Sequence, residues 1–195
     1  SENFLNNKLP KDQVNIFFAR ANILHRESNF KDSSKYLQLA NNLKLDIDPC
    51  NSDTIINKSR RLLIESNKKE VIKKEYETSF ENIFIVGMYR SGSTLLESIL
   101  SMRNDVYDLG EINSLEQSFL DCKKSNKYLN LAEIYEEKVK SKTELKITTN
   151  KWLYNYQYAG IISSQIPNAK IIHCFRNPLD NILSIYRAHF DNRNE

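Results

Sequence analysis

No apolar run in these 195 residues approaches the length of a membrane span, and the N-terminus SENFLNNKLP has neither the basic start nor the apolar core of a signal peptide. A soluble chain is the expectation, and the missing initial Met suggests a trimmed one. Cys50, Cys122 and Cys174 are odd in number, widely separated and without metal-ligand spacing, which argues against a disulfide framework and for reduced cytoplasmic thiols. The 28 basic residues exceed the 25 acidic ones by only +3, too little for a broad nucleic-acid surface, so anion binding must rest on local charge. What is present is 40% hydrophobic and 10% aromatic residues, enough to bury a core in one domain with a smaller appendage.

The most informative stretch is Ile83 to Leu100, IFIVGMYRSGSTLLESIL. Ile83-Phe84-Ile85-Val86 reads as a strand buried on both faces, Gly87 ends it, and Leu95, Leu96, Ile99 and Leu100 recur at helical spacing from Ser93 onward. Strand, short polar loop and helix bring backbone N–H groups and the positive end of a helix dipole to one point, where an anion belongs. Against the nucleotide loop G-x-x-x-x-G-K-[ST], Gly87, Gly92 and Thr94 hold their places, but Ser93 replaces the lysine and the cation is Arg90. No apolar strand ending in a magnesium-binding aspartate accompanies it, so the frame is kept without the triphosphate chemistry. An ordinary strand-to-helix turn with glycine and hydroxyl caps is the other reading.

Upstream, Val14, Phe17, Phe18, Ala21 and Leu24 form one helical stripe and Tyr36, Leu37, Leu39, Ala40 and Leu43 another. The turn Glu27-Ser28-Asn29 joins them into an antiparallel pair, with Asp32 and Ser33 as caps. Ser52 or Asp53 caps a third helix with apolar positions Ile55, Ile56, Leu62, Leu63 and Ile64, followed by a mixed charge run over 68–75. The domains expected are a helical part over 1–78 and an α/β part over 79–195.

Downstream, Asn104 to Leu109 is short and extended, and Glu111 follows Gly110 at the start of a further helix. By pattern alone Glu111 is either a carboxylate placed near a helix N-terminus or one aimed into the cleft of Arg90. Tyr128 to Lys140 reads as an exposed helix with alternating charges. Leu145 to Thr149 is a second strand that leads to Lys151, either a surface lysine or a cation at the strand end where α/β folds bind ligands. Trp152, Tyr154, Tyr156 and Tyr158 read as packing residues. Ile171 to Phe175 is a third buried strand, with His173 in the core, and Asn177 and Pro178 open a helix that carries Ser184. Parallel strands alternating with helices predict an α/β fold: a P-loop-like parallel sheet flanked by helices, preceded by the all-α segment.

FIVGMYRSGSTLLESIL and PNAKIIHCFRNPLDNILSIYRAHF resemble the two cofactor segments of sulfotransferases that use 3′-phosphoadenosine-5′-phosphosulfate (PAPS). The closest branch contains the tyrosylprotein sulfotransferases and the bacterial sulfotransferases with tetratricopeptide repeats, and ARANILHRESNFKDSSKYLQLAN resembles one such repeat. Tyr89 stands where the family has proline. The resemblance implies PAPS as donor without a metal, held by Arg90, Ser91, Gly92, Ser93, Thr94 and Leu95 at the loop and by Arg176 and Ser184 at the 3′-phosphate. It also implies Glu111 as the base that deprotonates an acceptor hydroxyl, and Lys151 with Arg90 as stabilisers of the transferring group. The likeness runs from about Ile83 to Phe190, and family members continue beyond it, so a C-terminally truncated chain is expected. A hydroxyl-bearing acceptor is the implied substrate, with a peptide or protein partner for the helical segment, no nucleic acid and no membrane span. The other classes are a P-loop kinase or nucleotide hydrolase and a non-catalytic tetratricopeptide-type interaction module.

Overall fold

The computed structural model describes residues 8–67, 78–124 and 130–190. In chain order its elements are α1 (Pro10–Arg26), α2 (Phe30–Ile47), α3 (Ser52–Ser66), β1 (Glu81–Gly87), α4 (Ser93–Leu100), β2 (Val106–Asp108), α5 (Ser114–Lys124), α6 (Leu131–Lys140), β3 (Ile147–Asn150), a 3₁₀ turn (Leu153–Tyr158), α7 (Ala159–Gln165), β4 (Ala169–Cys174) and α8 (Pro178–Tyr186). They form two compact units, one of Ser1–Ser52 with Asn177–Glu195 and one of Asp53–Arg176. Among the described residues no helix is long and apolar enough to cross a membrane.

In the first unit α1 and α2 pack through Val14, Phe18, Ala21, Leu37 and Ala40. Their pairing is antiparallel: Phe17 lies against Tyr36, while Ser33 Oγ donates to the Ala21 carbonyl at 2.8 Å. Asn29, rather than Asp32 or Ser33, caps α2, its side chain accepting from the Asp32 N–H. Leu39, expected in the stripe, is exposed. At α8, Asn177 accepts from the N–H groups of Leu179 and Asp180 and Pro178 takes the first turn, the expected start. The chain after α8 returns to the helix pair, where His189 stacks on Phe18 and the Lys44 ammonium donates to the Phe190 carbonyl.

The second unit is a four-stranded sheet of order β2-β3-β1-β4 with every pair parallel. Parallel neighbours require crossovers, which here carry α4, α5, α6 and α7, and all four strands end on the same side, where such sheets bind ligands. Phe84 on β1 packs with Leu62, Leu115, Phe119, Leu131, Tyr135 and neighbouring apolar residues in one core. The fold is thus the expected mixed α/β architecture with a parallel sheet and a helical N-terminal segment.

Several local expectations change. Val106–Asp108 joins the sheet as a fourth strand. Among the described residues β4 is an edge rather than a buried strand, and His173 on it is exposed rather than in the core. In α3 only Leu62 of the five apolar positions is buried. The charge run over 68–75 and the start of the Tyr128 segment lie outside the described residues. α6 is not an exposed helix: it buries Leu131, Ala132, Tyr135 and Val139. Its buried Glu136 is satisfied by the Thr78 hydroxyl and the Lys140 ammonium, each at 2.7 Å.

Candidate active site

Gly87 closes β1 at φ +149°, and a Cβ there would stand 2.5 Å from the Cys174 carbonyl oxygen on β4, so glycine is required by space as well as conformation. The chain then turns sharply: the Ser91 N–H donates to the Met88 carbonyl at 3.2 Å, and Arg90 adopts the left-handed region at φ +67°. Gly92, at φ +99°, caps α4, and no atom lies within 4 Å of where its Cβ would be. The space beside Gly92 is thus open at the first turn of α4, whose leading N–H groups have no partner within the helix. Ser91 Oγ is buried there without a hydrogen-bond partner. Of the remaining loop residues expected to bind the donor, Ser93 is buried while Thr94 and Leu95 are exposed.

Arg176 reaches the same loop from the neighbouring strand. β1 and β4 run in register with Gly87 opposite Cys174, so the chain two residues later lies beside Arg90, and Arg176 Nη1 comes within 3.5 Å of the Arg90 carbonyl oxygen. The structure thus brings both predicted arginines to one loop. Ser184 is half-buried on α8, in the first unit.

β3 delivers the other predicted cation. Thr148, Thr149 and Asn150 are fully buried, which a strand tolerates only when each polar group is paired. Asn150 Oδ1 accepts from the Trp152 N–H and from Asn155 Nδ2, folding the chain over just after the strand. That turn presents Lys151, whose N–H donates to the Gly110 carbonyl at 2.9 Å and whose side chain is 5% exposed. Lys151 is therefore not a surface lysine. Its ammonium donates to the Glu111 carboxylate, and so Glu111 and Lys151 meet as one ion pair. Glu111 does not start a helix, for α5 begins only at Ser114 and Gly110, at φ +66°, turns the chain before it.

Sequence reasoning missed Glu97 and Asp108. Ser93 and Glu97 are four residues apart on the buried face of α4, leaving Leu95 and Ile99 exposed. Glu97 is 3% exposed, accepts from Thr149 Oγ1 at 3.2 Å, and lies 3.8 Å from the Lys151 ammonium. Burial pushes its carboxyl up to about 7, aided by a hydrogen bond with Asp108 and the charge of Asp108, while Lys151 and Thr149 pull the other way. A carboxylate among the leucines and isoleucines of α4, one turn after Ser93, was the available signal. α4 links the two halves, since its N-terminus closes the anion loop and its Glu97 touches the end of β3. The aromatic row does the same, with Tyr89 of the loop 6.2 Å from Tyr154 and Tyr154 5.6 Å from Trp152, ring centre to ring centre.

Orphan N–H groups at the start of α4, two arginines at the loop, and a lysine paired with a carboxylate are groups that can hold an anion and offset charge beside it. The family model described as "Sulfotransferase domain" matches residues 80–194. An uncharacterized protein from Aquifex aeolicus (strain VF5) is 31% identical over 142 residues, which cover 62% of this chain and 19% of that protein. No solved structure matches. The match spans β1, the anion loop, both arginines, Glu111 and Lys151 in one stretch, and by it this chain belongs to the sulfotransferase family.

Proposed function

We propose that this chain transfers a sulfuryl group from PAPS to an acceptor hydroxyl, and the observation that carries the reading is the buried Lys151 paired with Glu111 on the ligand-binding side of the sheet. When bound, the donor supplies a sulfuryl group on a phosphate leaving group. The residues present fit such an anion: Ser91 Oγ is unpartnered, the space at Gly92 is open, and Ser93, Thr94 and Leu95 offer first-turn N–H groups, so these residues would hold its 5′-phosphosulfate. Arg90 lies on the same loop, and Arg176, which reaches that loop, is the candidate for the 3′-phosphate.

Glu111 accepts the acceptor's proton as the new oxygen–sulfur bond forms, and Lys151 offsets charge on the departing oxygen. Positioning and fixed charge carry most of such an in-line transfer. Because the Lys151 ammonium already engages Glu111, the two groups are held next to each other before substrates arrive. Replacing Glu111 by Gln should lower turnover by roughly 100-fold or more and leave adenosine 3′,5′-bisphosphate affinity within about twofold. Unchanged turnover would remove Glu111 as the base.

The closer kinship with tyrosylprotein and tetratricopeptide sulfotransferases rests on the loop wording and on the antiparallel α1–α2 pair. On this reading the α1–α2 pair takes a peptide or protein partner. A cytoplasmic setting agrees with the free thiols of Cys50, Cys122 and Cys174.

A further inference from the structure

Glu97 has no role in the transfer just described, yet it is held by Thr149 and Lys151. It lies on α4 with its carboxyl turned away from water, at a cost that only pairing offsets. The groups facing it are Asp108 from β2, Thr149 from β3 and Lys151 just beyond β3; Glu111 reaches it only through Lys151. Glu97 also faces the Lys151 ammonium, 3.8 Å from that nitrogen, which the Glu111 carboxylate engages as well.

We propose that Glu97 is a positioning residue for Lys151: buried against the ammonium, it leaves the cation to Glu111 while protonated, and loss of its proton sets a second negative charge there and draws the cation from Glu111 toward α4. The inference rests on the roles of Lys151 and Glu111 given above. With the proton present, Lys151 is held mainly by Glu111. With it gone, Glu97 competes for the cation, and Glu111 loses part of its partner. The elevated proton affinity of Glu97 puts this exchange near pH 7, inside the range where a transferase works.

The test follows the Glu97 carboxyl directly by carbon-13 NMR across pH 4 to 9, with the signal assigned by its loss in Glu97→Gln. The expected midpoint is about 7. Lys151→Met should raise that midpoint by removing the cation, and Asp108→Asn should lower it by removing the like charge. A midpoint in the ordinary carboxylate range, or one that neither substitution moves, overturns the proposal. Because the wild-type titration alone can give the first of those results, the test holds even if a variant fails to fold. The pH profile of turnover adds a readout that packing alone would not move: an inflection near 7 in the wild type, absent in Glu97→Gln. Failure of the wild type to bind adenosine 3′,5′-bisphosphate would instead sink the sulfotransferase reading, with the titration still deciding the role of Glu97.

Discussion

β1 and β3 lie side by side, run in the same direction and end at the same edge of the sheet, yet they meet that edge with opposite chemistry. β1 is apolar through Phe84, Ile85 and Val86, and what it offers at its end is backbone: glycines at unusual φ and the N–H groups of α4. β3 is polar through Thr148, Thr149 and Asn150, all buried, and what it offers is side chains, Lys151 above all. An anion held by backbone needs only close approach and the right φ, which an apolar strand supplies by staying rigid. A buried ammonium needs carboxylates, and those need donors of their own, so the strand beneath must be polar and fully paired. Thr148 Oγ1 donates to Asn82 Oδ1 and Thr149 Oγ1 to Glu97, and through these two bonds the polar strand sits inside the sheet.

Breaking the backbone side should have the largest effect on stability. Gly87→Ala forces a Cβ against the Cys174 carbonyl in a conformation that side chains avoid, and should cost ~3 kcal/mol, measured by denaturant unfolding. On the polar side, Asn150→Ala removes the acceptor of both the Trp152 N–H and Asn155 Nδ2 and should cost ~2 kcal/mol. A result near zero would mean the turn that presents Lys151 holds itself.

The smallest effect sharpens the comparison through pH. Glu97 holds its proton more tightly when folded, at about 7 against an ordinary 4.5. Between those values the folded chain binds more protons than the unfolded one, so stability falls as pH rises from about 4.5 to about 7 and is level, for this group, on either side. The loss should be on the order of 2 kcal/mol and absent in Glu97→Gln, measured as unfolding free energy at pH 5 and pH 7.5.

The backbone half of the site was legible because its signals are local. Gly87, Gly92 and the apolar run before them fix strand, loop and helix start, and Asn177-Pro178 fixes the start of α8. The side-chain half was legible only at its tips, Glu111 and Lys151, through resemblance. Periodicity marks a stripe of Leu and Ile on α4 but cannot say that the face with Ser93 and Glu97 is the one turned inward. Val106–Asp108 is too short to show a period, so Asp108 had no strand to be read from. β4 looked buried because an apolar edge strand and an apolar central strand share one composition. Pairing between distant residues, such as Glu136 with Thr78, is equally invisible along the chain and turned an expected surface helix into a packed one.

The most direct measurement is calorimetric titration of the chain with adenosine 3′,5′-bisphosphate, set against ADP with magnesium, in the wild type and in Arg176→Ala. Selective binding of the bisphosphate, weakened at least tenfold by the substitution, is the result this account predicts. Equal or stronger binding of ADP with magnesium, or bisphosphate binding indifferent to Arg176, would contradict it.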